Sequence, residues 1–141
     1  MKRFFRNLSF GMALLVVPTA LLADDLTGAK SVLCTVIQAT ACFADGTCEV
    51  GAAWEWNIPQ FIEVDLVGMK LSTTKASGEN RSTAIKNLER DGELIVVQGF
   101  ELGRAFSFVI NEKSGMATVA VAREDRGVTI MGSCTPMPAA K

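Results

Sequence analysis

The residues of this chain that could do chemistry are four cysteines, one well-placed arginine, two tryptophans and a pair of spaced acids. Cys34, Cys42, Cys48 and Cys134 could bind zinc or form disulfides. Zinc sites usually bring two cysteines two to four residues apart, and no such pair exists here. An even number of cysteines therefore predicts two disulfides, with three possible connectivities. There is no histidine and no tyrosine. The usual general base, the usual metal ligand and the Ser-His and Cys-His nucleophile pairs are thereby removed. Glu63 and Asp65 have the spacing of paired carboxylates. No other acid–base group accompanies them, so they read as the solvated face of a strand. No glycine-rich phosphate loop opens a helix. An enzyme is not expected, and neither is a cofactor or a metal.

Arg104 has the same strand parity as Phe106, Phe108 and Ile110. If that bulky face is internal, the guanidinium points into the end of a barrel. There it could hold an anionic head group bidentately, or cap the barrel by lying on Trp54 or Trp56. Glu101 is a ready partner three residues earlier. Trp54 and Trp56 fall on one side of a period-two pattern with Val50 and Ala52. They read as packing residues, as the wall of a ligand mouth or as a protein-binding patch. The candidate ligand site is thus Arg104, Phe106, Phe108, Trp54 and Trp56.

The elements that must position these groups are short strands. From Glu93 to Cys134 apolar runs begin about a dozen residues apart, a spacing typical of all-β sandwiches and barrels. They are Leu94–Gln98, Ala105–Ile110, Met116–Ala122 and Val128–Met131, with turns at Gly99–Gly103, Asn111–Gly115 and Arg123–Gly127. The gaps are too short for crossover helices, so neighbours pair antiparallel.

Upstream, Val32–Cys42 reads as a strand, although Leu33–Ala41 would tolerate a helix, and Asp45-Gly46 marks a hairpin. Cys42 and Cys48 flank that turn, and a bridge between them would clamp it. Cys34 then pairs with Cys134. In an up-and-down barrel with an even number of strands, the first and last strands are antiparallel neighbours, so this bridge would tie the seam. Val50–Trp56 reads as a further strand. Phe61–Val67 alternates, with Ile62, Val64 and Leu66 inward, and Gly68 permits a bend. In Ser82–Arg90, Ala84, Ile85 and Leu88 fit one helical face and Thr83, Ile85 and Asn87 fit a strand; the Asp91-Gly92 turn favours the strand. Pro136 and Pro138 place the end of regular structure just after Cys134. The total is about eight strands: an all-β antiparallel meander closing into a small calycin-like barrel.

Residues 1–23 have the form of a signal peptide, with Lys2, Arg3 and Arg6 before an apolar Phe10–Leu22 and a cut after Ala23. The apolar run is shorter than the roughly 20 residues that span a bilayer. The expected product is a single β-barrel domain, 24–141, with no stable membrane anchor after cleavage. Losing three of the 14 basic residues and none of the 15 acidic ones takes the net charge from −1 to about −4. A mildly acidic domain lacks the clustered Lys and Arg that nucleic-acid binding uses. The expected location is periplasmic or secreted, in a bacterium.

The segment Gln98-Gly99-Phe100-Glu101-Leu102-Gly103-Arg104-Ala105-Phe106-Ser107, then Val109-Ile110, a Ser-Gly turn and Gly132-Ser133-Cys134-Thr135-Pro136, resembles a group of small exported proteobacterial proteins. The resemblance implies a secreted bacterial β-domain and assigns no functional residue. The architecture also resembles the calycin barrels, which include lipocalins, but their early G-x-W motif is missing: Gly51-Ala52-Ala53-Trp54 has the wrong spacing. The functional expectation is non-catalytic binding of a small apolar or amphipathic ligand. The alternative is a protein-interaction module for a periplasmic protein, such as an inhibitor of a cell-wall hydrolase or an envelope assembly factor.

Overall fold

A computed structural model describes residues 24–138. The expected signal peptide, 1–23, lies outside the described residues. Nine strands are present: β1 Ser31–Phe43, β2 Cys48–Gly51, β3 Phe61–Asp65, β4 Lys70–Thr73, β5 Ser82–Asp91, β6 Leu94–Glu101, β7 Arg104–Asn111, β8 Met116–Ala122 and β9 Arg126–Pro136. Neighbours from β3 to β9 pair antiparallel in chain order, and β9 returns to pair with β1. Eight strands therefore close a barrel, as the spacing predicts.

β1 is the longest strand, and its two edges are used differently. One edge pairs with β9 from Val32 to Phe43, with a bulge between Val36 and Gln38. The other edge is divided between β3 on Ser31–Thr35 and β2 on Ala39–Cys42. The short β2 is thus a flap on the barrel rather than a stave of it. Cys42 faces Cys48 across the hairpin and Cys34 faces Cys134 across the seam; both pairs are disulfide-bonded.

Period-two alternation fills the interior. On β7, Arg104, Phe106, Phe108 and Ile110 are buried while the residues between them face outward. Val97, Val119 and Ile130, from three other strands, complete this layer of the core. Leu26 is fully buried at the end away from Arg104, and its backbone N–H donates to the Glu112 carbonyl at 2.7 Å. That end is plugged by the segment preceding β1.

Four expectations need correction. Gly99 is not in a turn: β6 runs through it to Glu101, and the turn is Leu102-Gly103, both at positive φ. Gly99 is glycine because the Phe106 ring occupies the side-chain space; a Cβ there would lie 2.5 Å from Phe106 Cζ. Val50–Trp56 is not one strand. β2 stops at Gly51, and Ala53–Trp56 forms a turn of 3₁₀ helix ending at Asn57 in the left-handed region. The Glu55 carboxylate accepts from the Ala52 N–H at 3.1 Å and fixes the start of that turn. β9 also continues two residues past Cys134, because Pro136 stands at its end, where Val32 is its facing partner. Finally, Arg104 does not lie on a tryptophan ring, as the geometry of the mouth makes clear.

Candidate functional site at the barrel mouth

The end of the barrel opposite Leu26 carries the β4–β5, β6–β7 and β8–β9 turns together with the 3₁₀ turn. Arg104 opens β7 and faces inward, with only 6% of its surface exposed. Its Nη2 donates to Glu101 Oε2 at 2.7 Å and to the Asn57 carbonyl at 2.9 Å; Nη1 donates to the Trp56 carbonyl at 3.2 Å. The expected partnership with Glu101 is present. The expected stacking on tryptophan is replaced by backbone contacts, because the 3₁₀ turn presents its C-terminal carbonyls to the guanidinium. The cation–π contact found at this end is Arg126 over Phe43, at 5.6 Å.

A second arginine joins the site. Arg81 ends the polar loop before β5. Its Nη2 donates to the same Glu101 Oε2 at 2.8 Å, and its Nη1 donates to the Asn57 carbonyl and side-chain oxygen at 3.1 and 3.3 Å. Thr83 donates to Glu101 Oε1 at 3.0 Å. One carboxylate therefore serves two guanidinium groups. Burial pushes the Glu101 pKa up, but the hydrogen bonds from Arg104, Arg81 and Thr83 outweigh it and hold the carboxyl below its ordinary range. Arg81 Nε is buried and has no hydrogen-bond partner.

Beneath this polar rim lies a small cavity of about 60 Å³. Its floor is apolar, with Phe106, Phe108, Val119 and Ile130 among the lining residues, and Ile58 and Leu71 at the side. The Phe106 and Phe108 rings meet edge to face at 5.9 Å. On the other side of Arg104 a polar recess of about 180 Å³ is bordered by Glu55, Arg123 and Arg126. There Asp125 binds Arg126 at 2.7 Å and stands 3.7 Å from Arg123.

The structure thus brings Arg104, Phe106 and Phe108 to one cavity. It does not bring the tryptophan rings there. Trp56 is half-buried, with its ring near Gly51, and contributes a carbonyl to Arg104. Trp54 is 72% exposed at the outside of the 3₁₀ turn. Arg81, Thr83 and Asn57 join the site without having been singled out in the sequence. Thr83 is signalled by its β5 parity with Ile85, but Arg81 and Asn57 lie in loops, where periodicity is silent.

Glu63 and Asp65 both stand on β3. The Asp65 carboxylate accepts from the Val67 and Gly68 N–H groups and shapes the turn after β3. Ser72 and Lys75 have the S-x-x-K spacing of some acylating enzymes. Here Ser72 is on β4 and Lys75 starts the next loop, and no hydrogen bond joins them. Among the described residues no group of three or more potential ligands could hold a metal ion, and no helix is long and apolar enough to cross a membrane. Comparison with known proteins finds no matching family model, no matching curated protein and no matching solved structure.

Proposed function

We propose that this is a non-catalytic binding protein of an oxidising compartment, the bacterial periplasm, and that the barrel mouth is its ligand site. One observation carries the reading: an apolar cavity and two arginines open onto the same rim. Convergent polar groups over an apolar floor are the usual form of a small-molecule site. The cavity limits what can enter. Drug-sized ligands occupy roughly 300–1,000 Å³, whereas this space is about 60 Å³. The ligand is therefore small, or inserts only one apolar end, and the protein is not a carrier that swallows a lipid chain. Two disulfides suit the proposed compartment. The test is a titration of isotopically labelled protein with small amphipathic compounds. Saturable shifts of the Thr83, Glu101 and Phe106 amides are expected; shifts confined to the outer strand faces would refute the reading.

A second reading rests on Trp54 and Leu102, each 72% exposed at this same end. Exposed anchors of this kind suit a protein-interaction module, for example an inhibitor of a cell-wall hydrolase or an envelope assembly factor. In that case Trp54→Ala abolishes capture of the partner protein and leaves the small-molecule shifts unchanged.

A further inference from the structure

The mouth sets two poorly exposed arginines on one poorly exposed carboxylate next to apolar space, and that combination defines a chemical class of ligand. Arg81 and Arg104 share the single carboxylate of Glu101. Arg81 and Glu101 are each 20% exposed and Arg104 is 6% exposed, so solvent screens them poorly. Glu79 reaches Arg81 from the solvent side at 3.5 Å, with 43% exposure, and is too wet to neutralise it fully. The second sign is independent of charge. Arg81 Nε is buried without a partner, which costs free energy unless an acceptor arrives. The third is the apolar cavity that Arg81 helps to line.

We infer that the mouth binds a short apolar monocarboxylate, with its carboxylate on Arg81 and its aliphatic end in the cavity above Phe106 and Phe108. This inference rests on the proposed binding role of the mouth and names the ligand class for it. A carboxylate oxygen supplies the acceptor that Nε lacks and gives Arg81 a closer, less solvated counter-charge than Glu79 does. The small volume sets the tail at a few carbons. A free short-chain acid and the C-terminal apolar residue of a peptide share this chemistry.

The test uses the oxidised protein and defined probes, read by amide shifts. Hexanoate is compared with hexanol and hexanamide, an acetylated tripeptide ending in leucine is compared with its C-terminal amide, and inorganic phosphate serves as a head group without a tail. Hexanoate or the free-acid peptide is expected to bind at least tenfold tighter than its neutral counterpart and tighter than phosphate. Dodecanoate is expected to gain nothing over hexanoate, because the cavity is already full. If the free-acid peptide is the tighter of the two, the source is a polypeptide end; if hexanoate is, the source is a free acid. Arg81→Gln is expected to erase the tenfold preference while hexanol binding stays the same. Val119→Leu, which narrows the cavity without touching charge, is expected to weaken hexanoate and not phosphate. Equal binding of hexanol and hexanoate overturns the carboxylate assignment and leaves the binding role standing. No shift at the mouth with any probe overturns both. The comparison of charged and neutral probes on the unmodified protein holds even if the Arg81 variant does not fold.

Discussion

At the scale of single residues, Glu101 is the hinge of the mouth. It accepts from Arg81, Arg104 and Thr83, and among the described residues it is the carboxylate in ion-pair contact with Arg104. Glu101→Gln keeps the shape but leaves two guanidinium groups facing an amide. The expected cost is about 2–4 kcal/mol, the range for stranding a poorly solvated charge, measured by urea unfolding at neutral pH. The pH dependence has a definite sign. The folded-state pKa of Glu101 is lowered from its ordinary 4.5. Its stabilisation is therefore complete above that unfolded value and is lost as pH falls through the lower folded one. The gap between wild type and Glu101→Gln should be constant at neutral pH and shrink on acidification. A gap that widened in acid would contradict the assignment. Trp54 is the opposite case. With its ring in solvent, Trp54→Ala should shift stability by no more than about 0.5 kcal/mol, checked by the same unfolding curve. Arg104 was legible in the sequence because β7 alternates strictly and parity alone turns it inward. Arg81 was not, because a loop residue has no period and its role exists only once β5 and β6 bring it beside Glu101.

At the scale of elements, β6 and the 3₁₀ turn show where local signals mislead. Gly99 and Gly103 together look like the borders of a turn, yet only Leu102-Gly103 needs the left-handed backbone of a two-residue hairpin. Gly99 answers to packing across the sheet: the ring of Phe106, its facing residue on β7, fills the space of a side chain. Gly99→Ala would set a methyl 2.5 Å from Phe106 Cζ and 3.0 Å from the Ala84 carbonyl oxygen. The expected loss is about 1–3 kcal/mol from overpacking. Phe106 must move, so the same variant should disturb the mouth cavity. Denaturant melting and the Phe106 ring resonances would check both, and an unchanged ring environment would argue against the packing account. The alternation of Val50, Ala52, Trp54 and Trp56 misleads for a different reason. A period-two pattern over four residues costs nothing to produce by chance, whereas the Glu55 carboxylate, bonded to the Ala52 N–H, commits the backbone to a tight turn.

At the scale of the whole molecule, closure was the most legible feature. Regular strand spacing, short gaps and cysteines near both ends each point to the same ring, and the facing of Cys34 and Cys134 in β1 and β9 is the outcome. Their 100-residue separation makes this the more stabilising bridge on the chain-entropy model: about 4.7 kcal/mol, against roughly 2 kcal/mol for a six-residue loop such as Cys42–Cys48. Replacing both seam cysteines by serine should therefore lower the thermal midpoint more than replacing the hairpin pair. Equal losses would mean that the ladder, and not the bridge, holds the seam. The size of the interior was not legible. Eight strands can leave room for a ligand or be packed with side chains, and only the placement of Phe106, Phe108, Val119 and Ile130 decides for a nearly full barrel.

The closing strand β9 lies about a hundred residues after the strand whose edge it seals. β9 satisfies the open edges of both β8 and β1, so a chain stopped short of Arg126 does not merely fray. It carries two unpaired edges at once, and Cys34 becomes an odd thiol. Such a truncated chain is expected to recruit strands from other copies and to form mixed disulfides, which non-reducing electrophoresis would reveal.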